Sequence, residues 1–93
     1  FSGERTTVRL ECANDMGGVI IDRFGKEISL RPVDEAHFSC LVEVAVSQQF
    51  FGWIFALGEG VKITEPHDVV EQLREEAKRL YRQYLPEEAP EAE

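Results

Sequence analysis

The chain has 93 residues, and its 10 lysines and arginines against 18 aspartates and glutamates give a formal net charge of −8. This length suffices for one small domain, and the excess of acid argues against non-specific binding to DNA or to an anionic membrane. No apolar run approaches the roughly 20 residues that cross a bilayer, and no basic segment precedes an apolar one as in a secretory signal. Because the chain starts with Phe1 rather than methionine, we expect it to be a piece of a longer protein.

Much of the acidic charge lies at the C-terminus. Residues 86–93 contain four glutamates, two prolines and two alanines, a composition that cannot bury apolar surface, so we predict a disordered acidic tail. Residues 5–85 are predicted to form the folded domain, and residues 1–4 to be a linker or an expression remnant.

The first two predicted elements are a strand and a short helix. Residues 6–13 alternate between apolar and polar side chains, which is typical of a half-buried strand. Asn14 and Asp15 are favoured N-cap residues, so a helix should follow them and end at Gly25.

A hairpin and a second helix are predicted next. Residues 26–32 and residues 38–47 alternate in the same way, and a polar turn at residues 33–36 joins them. Ser47 is then expected to cap a helix that runs to Leu57.

The last predicted elements are a short strand over residues 61–64 and a long helix. Pro66 suits the first position of this helix, which should extend to Tyr84. Seven apolar residues form one stripe along it. These are Val69, Val70, Leu73, Ala77, Leu80, Tyr81 and Tyr84.

The order of elements, β-α-β-β-α-β-α, divides at the hairpin into two βαβ-like halves, as in the ferredoxin-like fold. Right-handed crossovers place both helices on one face of a four-stranded antiparallel sheet. The predicted class is therefore α+β, a two-layer βαββαβ sandwich with an additional C-terminal helix. We expect the first and third strands to lie parallel at the centre of the sheet.

That arrangement bears on the two cysteines, Cys12 and Cys40, which both fall on apolar strand faces. If their strands were parallel, the cysteines would lie too far apart for a disulfide. We predict that both thiols are reduced and buried, which suits a cytoplasmic protein.

The residues argue against two binding functions that are known for such folds, RNA binding and phosphate binding. The open sheet face carries no aromatic side chain on which RNA bases could stack. The glycine loop at residues 14–18 could receive a phosphate at a helix N-terminus, but it contains Asp15 and lacks the arginine of an acylphosphatase-like enzyme. A cap followed by close packing of the helix on the sheet, at Gly17 and Gly18, is the favoured interpretation.

The two histidines also indicate no active site. His37 lies at the predicted hairpin tip and His67 in the first turn of the last helix, and neither has the neighbours of a catalytic triad or a metal site. We expect no enzyme activity, no metal and no cofactor.

An interaction surface is the function that the residues favour. The second helix has its core stripe at Phe50, Trp53, Ile54 and Leu57, which leaves Phe51 and Phe55 on another side, unless one of them lies under the last helix. On the sheet, an apolar leucine interrupts the polar open face, where arginines accompany it. The residues of the predicted interaction surface are Phe51, Phe55, Leu41, Arg9 and Arg31.

The order of short motifs from Arg5 to Tyr84 resembles the C-terminal extension (WCX) domain of bacterial WYL-domain transcriptional regulators. The matching segments are Val8-Arg9-Leu10, residues 19–25, Phe38 with residues 42–46, residues 51–54, residues 56–58, residues 61–63, and Glu65-Pro66 before the last helix.

The resemblance implies a ferredoxin-like fold and membership of a one-component regulator with a DeoR-type winged helix-turn-helix. In such a protein the WYL domain senses a ligand, and the extension packs across a homodimer. The implied role for this chain is a non-catalytic regulatory and dimerisation module that contacts a WYL domain of the same or the partner subunit. DNA would be bound only by the N-terminal domain of the parent protein. The WYL ligand-contacting residues have no counterpart here.

A small-ligand sensor of the ACT type is the alternative, because it shares this topology and binds effectors at dimer interfaces. Gly17 and Gly18, directly after the first strand, are the feature that favours it, since such sensors place their ligands near that loop.

Overall fold

The computed structural model describes residues 5–86, which form four strands and three helices. The predictions for residues 1–4 and for the tail after Pro86 lie outside the described residues. Short 3-10 turns precede the first helix and the last strand. The strands are β1 (Arg5–Ala13), β2 (Arg31–Pro32), β3 (His37–Ala45) and β4 (Val61–Glu65), and the helices are α1 (Gly17–Phe24), α2 (Gln48–Ala56) and α3 (His67–Gln83).

The four strands form one antiparallel sheet in the order β2-β3-β1-β4. This sheet and the C-terminal helix confirm the predicted α+β class. The apolar residues of β1 and β3 share one core with the helices, while the alternate residues form an open face. Within residues 5–86, no helix is both long enough and apolar enough to cross a membrane.

The direction of the central strand pair differs from the prediction. β1 and β3 run antiparallel, with Leu10 opposite Cys40 and Cys12 opposite Phe38. The crossover through α1 makes β1 and β2 run the same way, and the hairpin then returns β3 between them, so β3 must oppose both. The expected separation of the cysteines was therefore wrong, since the two thiols are diagonal neighbours. Both are buried and free, as predicted.

The second strand is much shorter than its alternation predicted. Only Arg31 and Pro32 pair with β3, whereas residues 26–32 were expected to do so. The segment leaves Gly25 at a φ of 100°, and Ile28 and Leu30 pack against the core without joining the ladder. In this segment, the alternation therefore indicates which side chains are buried. It does not indicate which backbone groups pair with β3.

The core lies between the sheet and the three helices. Its centre is formed by Val8, Leu10 and Cys12 of β1, each fully buried, and by Ile20 of α1. The loop before β4 also packs closely, because a Cβ on Gly60 would lie 3.0 Å from Cγ of Met16. The remaining buried apolar residues are Phe38, Cys40, Val42, Val44, Phe50, Phe51, Ile54, Val61, Ile63 and Val69.

One of the two predicted helix caps is present. The Ser47 hydroxyl accepts a hydrogen bond from the Phe50 N–H at 3.1 Å at the start of α2. Asn14 does not cap α1: its Nδ2 donates to the carbonyl of Glu35, and its N–H donates to the carbonyl of Ala36, both at 2.9 Å. Asn14 therefore ties the end of β1 to the β2–β3 turn.

Candidate interaction surfaces

The five residues predicted as one interaction surface are divided between two sides of the sheet. Arg9, Arg31 and Leu41 lie on the open face, and Leu41 is 53% exposed. Phe51 and Phe55 lie on α2, which packs on the opposite, core-forming face. One partner surface can contact only one of these groups at a time.

The two phenylalanines of α2 also differ from each other. Phe51 is 5% exposed and belongs to the core, so its expected exposure was wrong, whereas Phe55 is 37% exposed. Phe51 borders the groove between α2 and α3, where Gln48 Nε2 donates to Glu76 Oε2 at 3.3 Å. Phe51 is therefore the buried member of the pair, and it lies in the core beside the groove that separates α2 from α3.

The open face is polar and of mixed charge. Two cross-strand ion pairs are present, Arg9 with Glu65 at 3.4 Å and Arg5 with Glu43 at 4.0 Å. All four side chains are substantially exposed, so each pair contributes little to the free energy of unfolding. A third basic residue, Arg31, forms no salt bridge within residues 5–86.

The apolar stripe of α3 is divided between the core and the surface, which the sequence reasoning missed. Val69 is 2% exposed, and Val70 and Leu73 pack against the core. Beyond them the same stripe is exposed and continues past the end of the helix. Its exposed apolar residues are Leu80 (38%), Tyr81 (69%), Tyr84 (74%) and Leu85 (37%).

The length of α3 relative to β4 explains this exposure, and both lengths can be predicted from the sequence. A helix of 17 residues is about 25 Å long, while the five residues of β4, against which α3 packs, span about 17 Å. About the last third of α3 therefore projects beyond the strand. We call Ala77, Leu80, Tyr81 and Tyr84 the distal stripe of α3.

The spacing along α3 is that of a coiled coil. Val70, Leu73, Ala77, Leu80 and Tyr84 follow one another at alternating intervals of three and four residues, which is the a/d pattern of a heptad repeat. Val70 and Leu73 are half-buried, so part of each still borders solvent, and the last three positions belong to the distal stripe.

The charges of α3 are separated along its axis. Residues 68–76 hold four acidic residues and one basic residue, and residues 77–83 hold three basic residues and no acidic one. Ion pairs at spacing i,i+3 connect neighbouring residues, as between Glu76 and Arg79. The N-terminal half of α3 has a net charge of −3 and the C-terminal half a net charge of +3.

The histidines have structural partners. His37 Nδ1 lies 2.9 Å from Oδ1 of Asp34, which also accepts the Ala36 N–H at 2.8 Å. These two hydrogen bonds hold the pKa of the Asp34 carboxyl below its ordinary value. His67 lies 3.7 Å from Glu71 on α3. Across the described part of the chain, no three His, Cys, Asp or Glu side chains are grouped as metal ligands.

The two thiols lie in the core and do not form a nucleophile. The hydrogen bond that Cys12 donates to Cys40 and burial both raise the pKa of the Cys12 thiol. The same hydrogen bond lowers the pKa of the Cys40 thiol, but burial opposes that shift, and at 2% exposure its sulfur is shielded from reagents in solution.

The glycine loop before α1 lacks the close packing that was expected of it. A Cβ at Gly17 or at Gly18 would meet no atom within 4 Å, so neither glycine is required by contact between helix and sheet. Asp15 places an acidic side chain in the turn, and the turn has no basic residue. The loop therefore connects β1 to α1 without the cationic group that holds a phosphate.

Comparison with known proteins gives one match. The model of the WCX domain family matches residues 4–81, more than four fifths of the chain. No curated protein and no solved structure matches it.

Proposed function

Because the chain belongs to the WCX domain family, we propose that it is a non-catalytic regulatory and dimerisation module of a bacterial transcriptional regulator. The family is one of regulatory domains. In the proposed parent protein, which is cytoplasmic, this module relays the state of an upstream ligand-sensing WYL domain to a DNA-binding domain. The WYL domain of the same or the partner subunit contacts it, and DNA is bound only through an N-terminal helix-turn-helix domain.

The observation that carries the dimerisation proposal is the distal stripe of α3. Tyr81 and Tyr84 are about 70% exposed, at 69% and 74%, and lie beside Leu80 on one helix. Large apolar side chains that are contiguous at a surface mark protein interfaces, and tyrosine is enriched there. Covering this stripe would remove from water Tyr81 and Tyr84, the two most exposed aromatic side chains within residues 5–86.

A second copy of the same helix is the partner that fits the stripe. Heptad spacing lets two helices interlock side by side. If two α3 helices run antiparallel about a two-fold axis, the distal stripe of each lies against the half-buried Val70 and Leu73 of the other, and the −3 half of each faces the +3 half of the other. A parallel pair would place like charges together. The charge separation along α3 therefore favours an antiparallel homodimer.

Sedimentation velocity over a concentration series tests this proposal. The wild-type chain should associate to a dimer as its concentration rises, and Leu80→Glu and Tyr84→Glu should each shift association to higher concentration by at least about tenfold, because each buries a charge in an apolar interface. Both sites are exposed in the monomer, so the variants should keep the wild-type melting temperature.

Val33→Glu is the matched control. Val33 is 51% exposed and lies in the β2–β3 turn, away from α3, so the same change in charge should leave association unchanged. A wild-type chain that remains monomeric throughout the series, or equal effects of Val33→Glu and Leu80→Glu, would contradict dimerisation through α3.

A further inference from the structure

The open face of the sheet contains a cavity of about 350 Å³ above β3. It lies between side chains of the short strand β2 and of the central strand β1. The lining contains two arginines, two serines and one exposed leucine. The lining residues are Arg9, Ser29, Arg31, Ser39, Cys40 and Leu41.

The two arginines approach the cavity from opposite sides. Arg31 is opposite Ser39 in the β2–β3 ladder, and Arg9 is opposite Leu41 in the β1–β3 ladder. Their Cα atoms are therefore separated by two strand spacings and two residues, about 12 Å. Arginine side chains are long enough to bring both guanidinium groups over the same part of β3.

Neither guanidinium is held firmly by a carboxylate of the domain. Arg31 forms no salt bridge with any residue from 5 to 86. Arg9 contacts Glu65 through a single Nε–Oε1 distance of 3.4 Å, and the Glu65 side chain is 65% exposed. Such a pair is worth little in water and can exchange Glu65 for another anion.

Ser39 adds a hydrogen-bonding group at the floor of the cavity. Within residues 5–86, it is the only polar residue that is buried, at 8% exposure. Its neighbours along β3, Phe38 and Cys40, face the core, so its own side chain points to the open face. A hydroxyl that borders a cavity in this way is open to water and can donate a hydrogen bond to a ligand that takes the place of that water.

We propose that this cavity binds the oxyanion group, a phosphate or a carboxylate, of a small molecule whose apolar part lies against Leu41. Guanidinium groups offer paired N–H donors that match the oxygens of either group, and the serine hydroxyls donate to the same oxygens. This binding site is additional to the proposed dimerisation through α3, which lies on the other side of the sheet.

Two acidic residues lie near the cavity, and one of them, Glu65, would compete with a bound anion for Arg9. Glu65 would give up Arg9 when the ligand binds. Glu11 lies opposite Ser39 on β1, but Lys62 of β4 lies opposite Glu11 on its other side. Glu65→Gln should therefore strengthen binding, because it removes the carboxylate that competes for Arg9.

Nuclear magnetic resonance titration of the 93-residue chain, with inorganic phosphate or acetate at constant ionic strength, tests the proposal. Saturable shifts of the amide signals at Arg9, Arg31 and Ser39 are expected. Arg31→Gln should weaken binding by about tenfold or more, as expected for loss of a charge-assisted hydrogen bond. Ser39→Ala should also weaken it, and its small change in volume leaves the fold intact. Tighter binding of phosphate identifies a phosphate ligand, and tighter binding of acetate a carboxylate.

Lys62→Gln is the matched control, because Lys62 is exposed on the same face but does not line the cavity. It removes one positive charge and should change the affinity much less than Arg31→Gln. The proposal is overturned if neither anion produces saturable shifts, or if Lys62→Gln weakens binding as much as Arg31→Gln. Because this measurement does not depend on association through α3, its failure would leave the dimer proposal standing.

Discussion

Cys12 of β1 lies opposite Phe38 of β3, and this register makes Cys40 the diagonal neighbour of Cys12 on the core side of the sheet. The two cysteines are 0% and 2% exposed. Two sulfur atoms in the centre of a core interact with each other and not with solvent.

This placement predicts that the thiols are inert in the folded protein. Reagents in solution cannot reach either sulfur in the folded chain, and the hydrogen bond that Cys12 donates to Cys40, together with burial, raises the pKa of the Cys12 thiol. A disulfide-exchange reagent added at pH 7 should therefore label neither cysteine without denaturant and both cysteines in urea. Rapid labelling of the folded chain, or an intact mass two hydrogens below the reduced value, would contradict this prediction.

The difference between the two phenylalanines of α2 predicts a difference in stability. Phe51→Ala should lower the free energy of unfolding by about 3–5 kcal/mol, because it leaves a cavity in the core. Phe55→Ala removes a side chain that is already 37% exposed, so it should cost distinctly less. Urea denaturation measures both values, and equal losses would show that Phe51 is not the buried member of the pair.

The N-cap of α2 predicts a smaller change in stability. Ser47→Ala removes the acceptor of the Phe50 N–H and should destabilise the domain by about 1 kcal/mol. Ser29 is an exposed serine outside every helix, and Ser29→Ala should change the stability by less than about 0.5 kcal/mol. If the urea midpoints of the two variants coincide, the hydrogen bond to Ser47 contributes nothing to the stability of the domain.

Asp34 predicts a dependence on pH at the β2–β3 turn. The hydrogen bonds from His37 and Ala36 lower the pKa of its carboxyl in the folded state, so its contribution to stability is complete above the ordinary aspartate pKa and is lost as the pH falls through the lowered value. Asp34→Asn should therefore matter at neutral pH and cease to matter in strong acid. Carbon-detected titration of Asp34 should give a midpoint below the ordinary value of about 3.9, and a midpoint above that value would refute the assignment.

Local signals in the sequence predicted most of the elements. The alternation of residues 6–13 corresponds to β1, and Ser47 begins α2 as its chemistry indicated. The apolar and polar faces of β3 were also assigned correctly. These features depend on neighbours within a few residues, which is the range that periodicity and capping rules describe.

Features that depend on distant parts of the chain were not predicted. The antiparallel direction of β3 relative to β1 follows from how the hairpin returns beside β1, and alternation is the same for either direction. The burial of Phe51 depends on where α3 crosses α2. The exposure of Tyr84 depends on the length of α3 relative to β4. The cavity at Arg31 depends on how β1, β2 and β3 bring Arg9, Arg31 and Ser39 together, and local alternation does not show this.

The antiparallel pairing of α3 can be tested by exchanging charges between its two halves. In one variant, Lys78→Glu and Arg82→Glu make both halves acidic. In a second variant, Glu71→Lys and Glu75→Lys make both halves basic. Each variant alone would place like charges against each other in an antiparallel dimer and should remain monomeric.

The most direct test of the central claim is sedimentation equilibrium of these two variants, alone and as an equimolar mixture. If two α3 helices pair antiparallel, each variant alone sediments as a monomer and the mixture as a heterodimer, because opposite charges again face each other. If both variants dimerise alone as well as the wild-type chain does, or if the mixture remains monomeric while the wild type dimerises, the distal stripe of α3 is not the surface that joins two copies.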